Sequence, residues 1–132
     1  MAENRQSAAQ QSPVTVGQFL KVGRDRLGLE LSAGKAGLDR VIIEPVVHRP
    51  GLALSGFYKH FAQKRIQVVG MAEYAYLSSM PEELRIQRFE ELFATKIPCM
   101  VFTRGKRAFP EVLRVAERDG VSVLRSSMVT RH

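Results

Sequence analysis

Residue types that could carry out chemistry are few in this sequence and lie far apart. Three histidines and a single cysteine occur, namely His48, His60, His132 and Cys99. None of the histidines has a carboxylate or a cysteine at the spacing of a metal-ligand motif, and Cys99 has no histidine near it in sequence. The spacing therefore predicts no metal site and no catalytic residue.

Two Gly-Lys pairs invite comparison with the phosphate loop, Gly-x-x-x-x-Gly-Lys-Ser/Thr. At Gly34-Lys35 the first glycine is replaced by Leu29 and the hydroxyl residue by Ala36. Gly105-Lys106 fails at the same two positions. Without the glycine the backbone cannot surround a phosphate, and without the hydroxyl nothing holds magnesium. The sequence therefore contains no phosphate loop.

A formal net charge of +7 raises the question of an acidic partner. The basic residues are scattered and form no run, so a solvated basic surface is the simplest interpretation. An acidic protein partner or a phosphate-bearing ligand comes next, and a nucleic acid is least favoured. The candidate residues for binding an anion or a partner lie in loops, and they are Arg104, Lys106, Arg107, Arg49, His48 and Glu73.

Two short apolar runs predict the strands that position these residues. Ile66–Val69 and Ile97–Phe102 are rich in β-branched residues, as is typical of strands covered on both faces. The chain between them is long enough for a helical crossover, so we expect them to be parallel. Gly70–Glu73 and Thr103–Arg107 would then meet at the carboxyl edge of the sheet, where α/β proteins often bind ligands. A solvated turn carboxylate is the competing interpretation of Glu73.

Other segments complete an α/β fold. A helix over Pro110–Asp119 followed by a strand over Val121–Leu124 repeats the crossover, which predicts a three-layer sheet with at least three parallel strands. In the first crossover, Pro81 and two acids predict a helix start, and Phe93 lies on its apolar stripe. Ser55 could cap another short helix.

Upstream of the sheet, Thr15 and Gln18 have the spacing of a capping box, so a helix should begin there and end near Leu27. Alternating leucines then predict a strand over Leu27–Leu31. The apolar stretch Asp39–Val47 predicts another strand, in which Pro45 indicates a sheet edge or a bend.

The length of 132 residues fits a single domain. Residues 1–13 are polar and without periodicity, so we expect a disordered tail, then one α/β domain over 14–130 and the start of a linker at 131–132. No apolar stretch could span a bilayer and no signal peptide is apparent, so a cytoplasmic location without a membrane partner is expected.

Four segments, taken in order, resemble the N-terminal domain of HPr kinase/phosphorylase over about residues 14–130. They are Gly37–Arg40, Arg49–Phe57, Arg65–Gly70 with Glu73 and Tyr76 after it, and Ile97–Gly105.

The resemblance implies an α/β fold similar to the N-terminal domains of Mur ligases. In that family the enzyme phosphorylates a serine of the phosphocarrier HPr, and it also removes that phosphate by phosphorolysis. Those activities belong to a C-terminal domain with a phosphate loop, which binds ATP, magnesium and HPr and which this chain lacks. The resemblance therefore implies no catalytic residue and no cofactor here, and it implies as partners the catalytic domain, other subunits of a hexamer-like homo-oligomer, and HPr.

Two classes of function follow. The first is a non-catalytic regulatory or assembly domain of an HPr kinase/phosphorylase-like protein. The alternative is a stand-alone module that binds an anionic metabolite or a nucleotide near the strand ends. A nucleic-acid binder has only the charge in its favour.

Overall fold

A computed structural model describes residues 14–59 and 61–129. The predicted tail 1–13 and the predicted linker 131–132 lie outside these residues, as do His60 and His132. The elements in chain order are β1 (Val14–Thr15), α1 (Val16–Leu27), β2 (Glu30–Ala33), a 3-10 helix (Lys35–Asp39), β3 (Val41–Ile42), β4 (Glu44–His48), α2 (Gly51–Leu54), β5 (Arg65–Val69), α3 (Met71–Ser79), α4 (Glu82–Ala94), β6 (Cys99–Phe102), α5 (Pro110–Asp119) and β7 (Ser122–Arg125).

The main sheet of the described chain has five strands in the order β2-β7-β6-β5-β4. Strands β4 to β7 are parallel to one another, and β2 pairs antiparallel with β7 at one edge. A small sheet joins β1 and β3. The predicted α/β class with at least three parallel strands is therefore confirmed.

Crossover handedness explains how the layers form. Right-handed connections that move along the sheet in one direction, from β4 to β7, place their helices on one face. Accordingly α2 to α5 contribute to one apolar core, whereas α1 and β3 contribute to a second core on the other face. Alternate strand residues supply the two cores: Met100 and Phe102 point to the first, Cys99 and Val101 to the second.

The structure shows the local interactions that were predicted to begin α1 and to begin and end α5. The backbone N–H of Gln18 donates to Thr15 Oγ1 over 3.1 Å, and the backbone N–H of Thr15 donates to Gln18 Oε1 over 2.8 Å. These two hydrogen bonds form the capping box of α1. Pro110 opens α5, and Gly120 closes it with a φ of 67°. The predicted strand over Asp39–Val47 is confirmed only in part: Asp39 ends the 3-10 helix, β3 pairs with β1 in the small sheet, and only β4 of this stretch lies at an edge of the main sheet, as Pro45 indicated.

Three local expectations were wrong. Leu27 is the last residue of α1, so the strand begins only at Glu30. No helix of the described chain begins between Ser55 and β5, and the short helix α2 already ends before Ser55, at Leu54. Glu73 does not lie in a loop, because α3 begins directly after Gly70 and includes Glu73 in its first helical turn.

No helix in the described ranges is both long and apolar enough to cross a membrane.

Candidate functional site

The carboxyl ends of β5 and β6 lie side by side. Thr103 donates its backbone N–H to the Val69 carbonyl over 3.1 Å and its hydroxyl to the same oxygen over 2.8 Å. Two loops therefore start from one edge, one leading into α3 and the other running toward α5. This is the neighbourhood that the sequence predicted for Gly70–Glu73 and Thr103–Arg107.

Arg49 and Glu73 form an ion pair across the ends of β4 and β5. Arg49 donates from Nε over 3.0 Å and from Nη2 over 2.8 Å to one oxygen, Glu73 Oε1. That oxygen also accepts the Gly70 amide over 2.8 Å, which is the side-chain half of a capping box at the start of α3. Glu73 thus holds the helix start and the arginine in place, and it occupies the Nε and Nη2 donors of Arg49.

His48 precedes this pair and packs edge-on against Phe61, with ring centroids 5.3 Å apart. Burial, followed by the nearby Arg65 guanidinium, lowers the pKa of His48 below its ordinary value of 6.5. The imidazole is therefore largely neutral at pH 7, and it offers little charge to an anion.

The loop after β6 has an unusual backbone. Arg104 and Gly105 both have positive φ angles, 61° and 68°. Their amides donate to the carbonyls of Met128 and Ser126, each over 2.8 Å. These two hydrogen bonds to the segment after β7 hold a conformation that costs an arginine energy. The Arg104 side chain is exposed and has no ion pair within the described chain.

The next two basic residues point to different surroundings. The Lys106 ammonium lies over the ring of Tyr74, 5.5 Å from its centroid, and the Tyr74 hydroxyl donates to the Arg107 carbonyl over 3.1 Å. Arg107 borders a cavity of about 380 Å³ at the β2–β7 side of the sheet, where Arg125 forms an ion pair with Glu30 over 3.1 Å. The six predicted residues thus share one end of the sheet but do not converge on a single pocket.

The strand order explains this divergence. Ligand crevices in open α/β sheets form where the strand order reverses, because neighbouring loops then separate to opposite faces. Strands β4 to β7 follow one another without a reversal. No such crevice opens among the described parallel strands, and their loops lie along one rim.

A second cavity of the same volume, which is mainly apolar and which the sequence did not reveal, lies on the α1 face at the same end of the sheet. It has a volume of about 380 Å³. Side chains of α1, the sheet and the segment after β7 line it, and they are Phe19, Leu27, Leu29, Val47, Arg49, Ile66, Val68, Val101, Thr103, Ser126 and Met128. Arg49 is the only charged residue among them, so this cavity and the ion pair with Glu73 share one residue.

The cavity exists because one helix cannot cover this face. Adjacent strands are about 4.8 Å apart, so five strands span roughly 19 Å, whereas a helix with its side chains is about 10 Å wide. The floor residues Ile66, Val68 and Val101 are buried, but Val47 on the edge strand remains 59% exposed and Met128 48% exposed. No sequence signal identifies such a gap, because it depends on which face α1 covers.

Reactive groups are scarce in the structure as well. Within residues 14–59 and 61–129, no three His, Cys, Asp or Glu side chains cluster closely enough to hold a metal ion. Burial raises the pKa of Cys99 to about 12, so its thiol is unreactive at neutral pH.

Comparison with known proteins identifies the family to which this chain belongs. The family model described as HPr Serine kinase N terminus matches residues 14–132. The chain belongs to this family. The resemblance seen in the four sequence segments is thereby confirmed.

Full-length members of the HPr kinase/phosphorylase family are much longer than the matched region. The HPr kinase/phosphorylase of Clostridium perfringens is 45% identical over 84 residues, which is 64% of this chain and 27% of the enzyme. The Clostridium beijerinckii enzyme is 39% identical over 116 residues, 87% of this chain and 38% of the enzyme. The Caldicellulosiruptor bescii enzyme is 36% identical over 117 residues, 88% of this chain and 36% of the enzyme. The chain thus spans only about a third of the length of these HPr kinase/phosphorylases.

Proposed function

We propose that this chain is a non-catalytic regulatory or assembly domain of an HPr kinase/phosphorylase-like protein. The observation that carries the proposal is the match of residues 14–132 to the N-terminal family alone, with about a third of each related enzyme covered. Its partners would be a catalytic domain of the family type, further copies in an oligomer and the phosphocarrier HPr. ATP and magnesium would bind the catalytic domain.

The surroundings of Gly34-Lys35 support a non-catalytic role. The Gly34 amide, which a phosphate loop would offer to phosphate, donates instead to Glu117 Oε1 over 2.9 Å. A Cβ at Gly34 would lie only 1.8 Å from the Val121 carbonyl oxygen, so the backbone is packed tightly against the next segment. A carboxylate and a close backbone contact both oppose the approach of a triphosphate.

An exposed apolar strip supports the assembly role. Val41, Ile43 and Val46 are half-exposed or more, and they lie along β3, β4 and their junction at the sheet edge. Edge strands usually carry charges that prevent association. Apolar side chains at an open edge are typical of a surface that another domain covers.

A chimera tests this proposal. The region of the Clostridium beijerinckii enzyme that aligns with this chain would be replaced by this chain, and a truncated enzyme without the region would serve as reference. We expect the chimera to phosphorylate HPr at a rate and with an oligomeric state that differ from those of the truncated enzyme. The chain alone should transfer no labelled phosphate from ATP to HPr.

A double substitution, Ile43→Lys with Val46→Lys, should return the chimera to the behaviour of the truncated enzyme. The matched control, Val22→Lys with Gln87→Lys, adds the same two charges at exposed positions of α1 and α4. A chimera that cannot be distinguished from the truncated enzyme would rule out a regulatory or assembly role in that enzyme. Phosphate transfer by the chain alone would rule out a non-catalytic one.

The second candidate is a ligand-binding module, favoured by the apolar cavity on the α1 face. Nucleic-acid binding is less well supported, because several arginines are already paired with carboxylates, among them Arg49, Arg65, Arg85 and Arg125. Filter binding of duplex DNA at low salt is the direct test, and tight binding that weakens steeply with salt would favour it.

A further inference from the structure

We infer that the α1-face cavity binds a small amphipathic carboxylate, whose hydrocarbon body fills the cavity and whose carboxylate contacts Arg49 at its mouth. This inference goes beyond the proposed regulatory role and does not depend on it. Arg49 was among the residues predicted to bind an anion, whereas the apolar cavity beside it was not predicted.

The shape and lining of the cavity fit a small molecule. Its volume of about 380 Å³ lies within the range of small-molecule sites, about 300–1,000 Å³. Ile66, Val68 and Val101 form a buried floor, and Phe19 and Leu27 of α1 form a wall. Apolar cavities of this kind stay dry and bind hydrocarbons.

The polar groups of the lining select an anionic head. The Thr103 hydroxyl donates to the Val69 carbonyl and the Ser126 hydroxyl donates to the Leu27 carbonyl, so their hydrogens are already used. Arg49 uses Nε and Nη2 for Glu73 Oε1, and its Nη1 has no hydrogen bond within the described chain. The guanidinium is therefore the lining group that can still donate to a ligand, and its planar geometry suits a carboxylate.

The charge balance at the mouth also favours a monoanion. Glu73 neutralises Arg49, but Arg104 follows the lining residue Thr103, and its amide is bonded to the carbonyl of the lining residue Met128. The Arg104 side chain is exposed and has no ion pair in the described chain, so it adds a positive charge next to the lining residue Thr103. A single carboxylate balances it.

Straight-chain carboxylates from butanoate to dodecanoate are the probes, each matched by the alcohol of equal length. Isothermal titration below the micellar concentration should give one saturable site. Each added methylene should tighten binding about fourfold until the cavity is full, after which the gain stops. Each carboxylate should bind roughly tenfold or more tightly than its alcohol, because the neutral alcohol lacks the ionic attraction to Arg49 and the second acceptor oxygen of a carboxylate.

Two pairs of variants identify the site. Arg49→Gln should remove the preference for carboxylate over alcohol, whereas Arg114→Gln, with the same loss of charge on an exposed part of α5, should leave it unchanged. Val47→Glu places a repelling charge among the lining residues and should weaken binding at least tenfold. Val22→Glu on α1 is its control, since Val22 is 72% exposed and does not line the cavity.

Circular dichroism confirms that each variant is folded, and sedimentation shows whether the cavity is closed by a second copy. No saturable binding, binding that ignores chain length, or equal loss in Val22→Glu and Val47→Glu would overturn the inference. A dimer that dissociates in Val47→Glu but binds no carboxylate would overturn it in favour of a self-association surface. A failed chimera leaves these titrations unaffected, so the two proposals can fail separately.

Discussion

Arg85 and Glu111 form a buried ion pair between α4 and α5, with side chains 11% and 6% exposed. The Arg85 guanidinium also lies 4.2 Å from the centroid of the Phe109 ring. Its Nη1 donates to the carbonyls of Leu77 over 2.8 Å and Met80 over 3.0 Å, at the end of α3. One arginine thus connects three helices of the same face.

Removing one member of this pair leaves the other charge buried without its partner. Such a loss costs about 3–5 kcal/mol. We therefore expect Glu111→Leu and Arg85→Met each to lower the free energy of unfolding by about that amount. For a domain with roughly 5–15 kcal/mol of total stability this is a large fraction.

Removing both members should cost much less than the sum. The double variant has no unpaired charge, and it leaves chiefly the Met80 carbonyl without its donor, because the Leu77 carbonyl still accepts the Met80 amide over 3.2 Å. An unsatisfied buried carbonyl costs about 1–3 kcal/mol. The expected coupling between Arg85 and Glu111 is therefore several kcal/mol in favour of the double variant.

Urea denaturation of the four proteins measures these energies. With a slope of about 1–3 kcal/mol per molar urea, each single variant should shift its midpoint by at least about 1 M. The control pair is Glu90 and Arg118, which joins the same two helices over 3.1 Å but is exposed. Its removal should leave the midpoint unchanged. Additive losses at Arg85 and Glu111, or single losses as small as those of the control, would refute the reasoning.

Three other predictions follow from buried or partly buried side chains. Phe93→Asp should unfold the domain, because Phe93 is only 2% exposed, and circular dichroism would detect the loss of structure. Gln87→Asp, on the exposed side of α4, is the control and should remain folded. An unchanged melting temperature in Phe93→Asp would contradict the assigned core. Because the pKa of His48 is lowered below 6.5 in the folded state, the unfolded state binds more protons below that pH. The urea midpoint should therefore fall as pH drops from 7.5 to 5, more in the wild type than in His48→Gln. Cys99, with its pKa raised to about 12 by burial, should react with an aromatic disulfide reagent only as fast as the protein unfolds, and rapid reaction of the native protein would show otherwise.

Local sequence signals were sufficient for most of the elements. The capping box at Thr15, the proline at the start of α5 and the β-branched runs of β5 and β6 each act within a few residues. Such signals predicted the α/β class, the parallel strands and the edge position of β4, because crossover length and handedness limit how these elements can be joined.

The candidate site could be predicted only in part, since its neighbourhood follows from strand direction but its contacts do not. Parallel strands place Glu73 and Thr103 at one edge whatever the neighbouring side chains are. That Glu73 pairs with Arg49, 24 residues earlier, depends on β4 lying next to β5 and on α3 beginning at Gly70. The sequence placed Glu73 in a turn because a glycine that ends a strand can equally precede a helix.

The sequence by itself determined several helices and strands, among them α1, α5, β5 and β6, and it excluded a phosphate loop through residue types at fixed spacing. Only the tertiary structure decided which charges are paired and where an apolar surface remains uncovered. Arg85 meets Glu111 across 26 residues, and the α1-face cavity combines residues from Phe19 to Met128. These contacts join residues far apart in the chain, so they are set by the strand order and by how α1 packs on that face, and no local pattern encodes either.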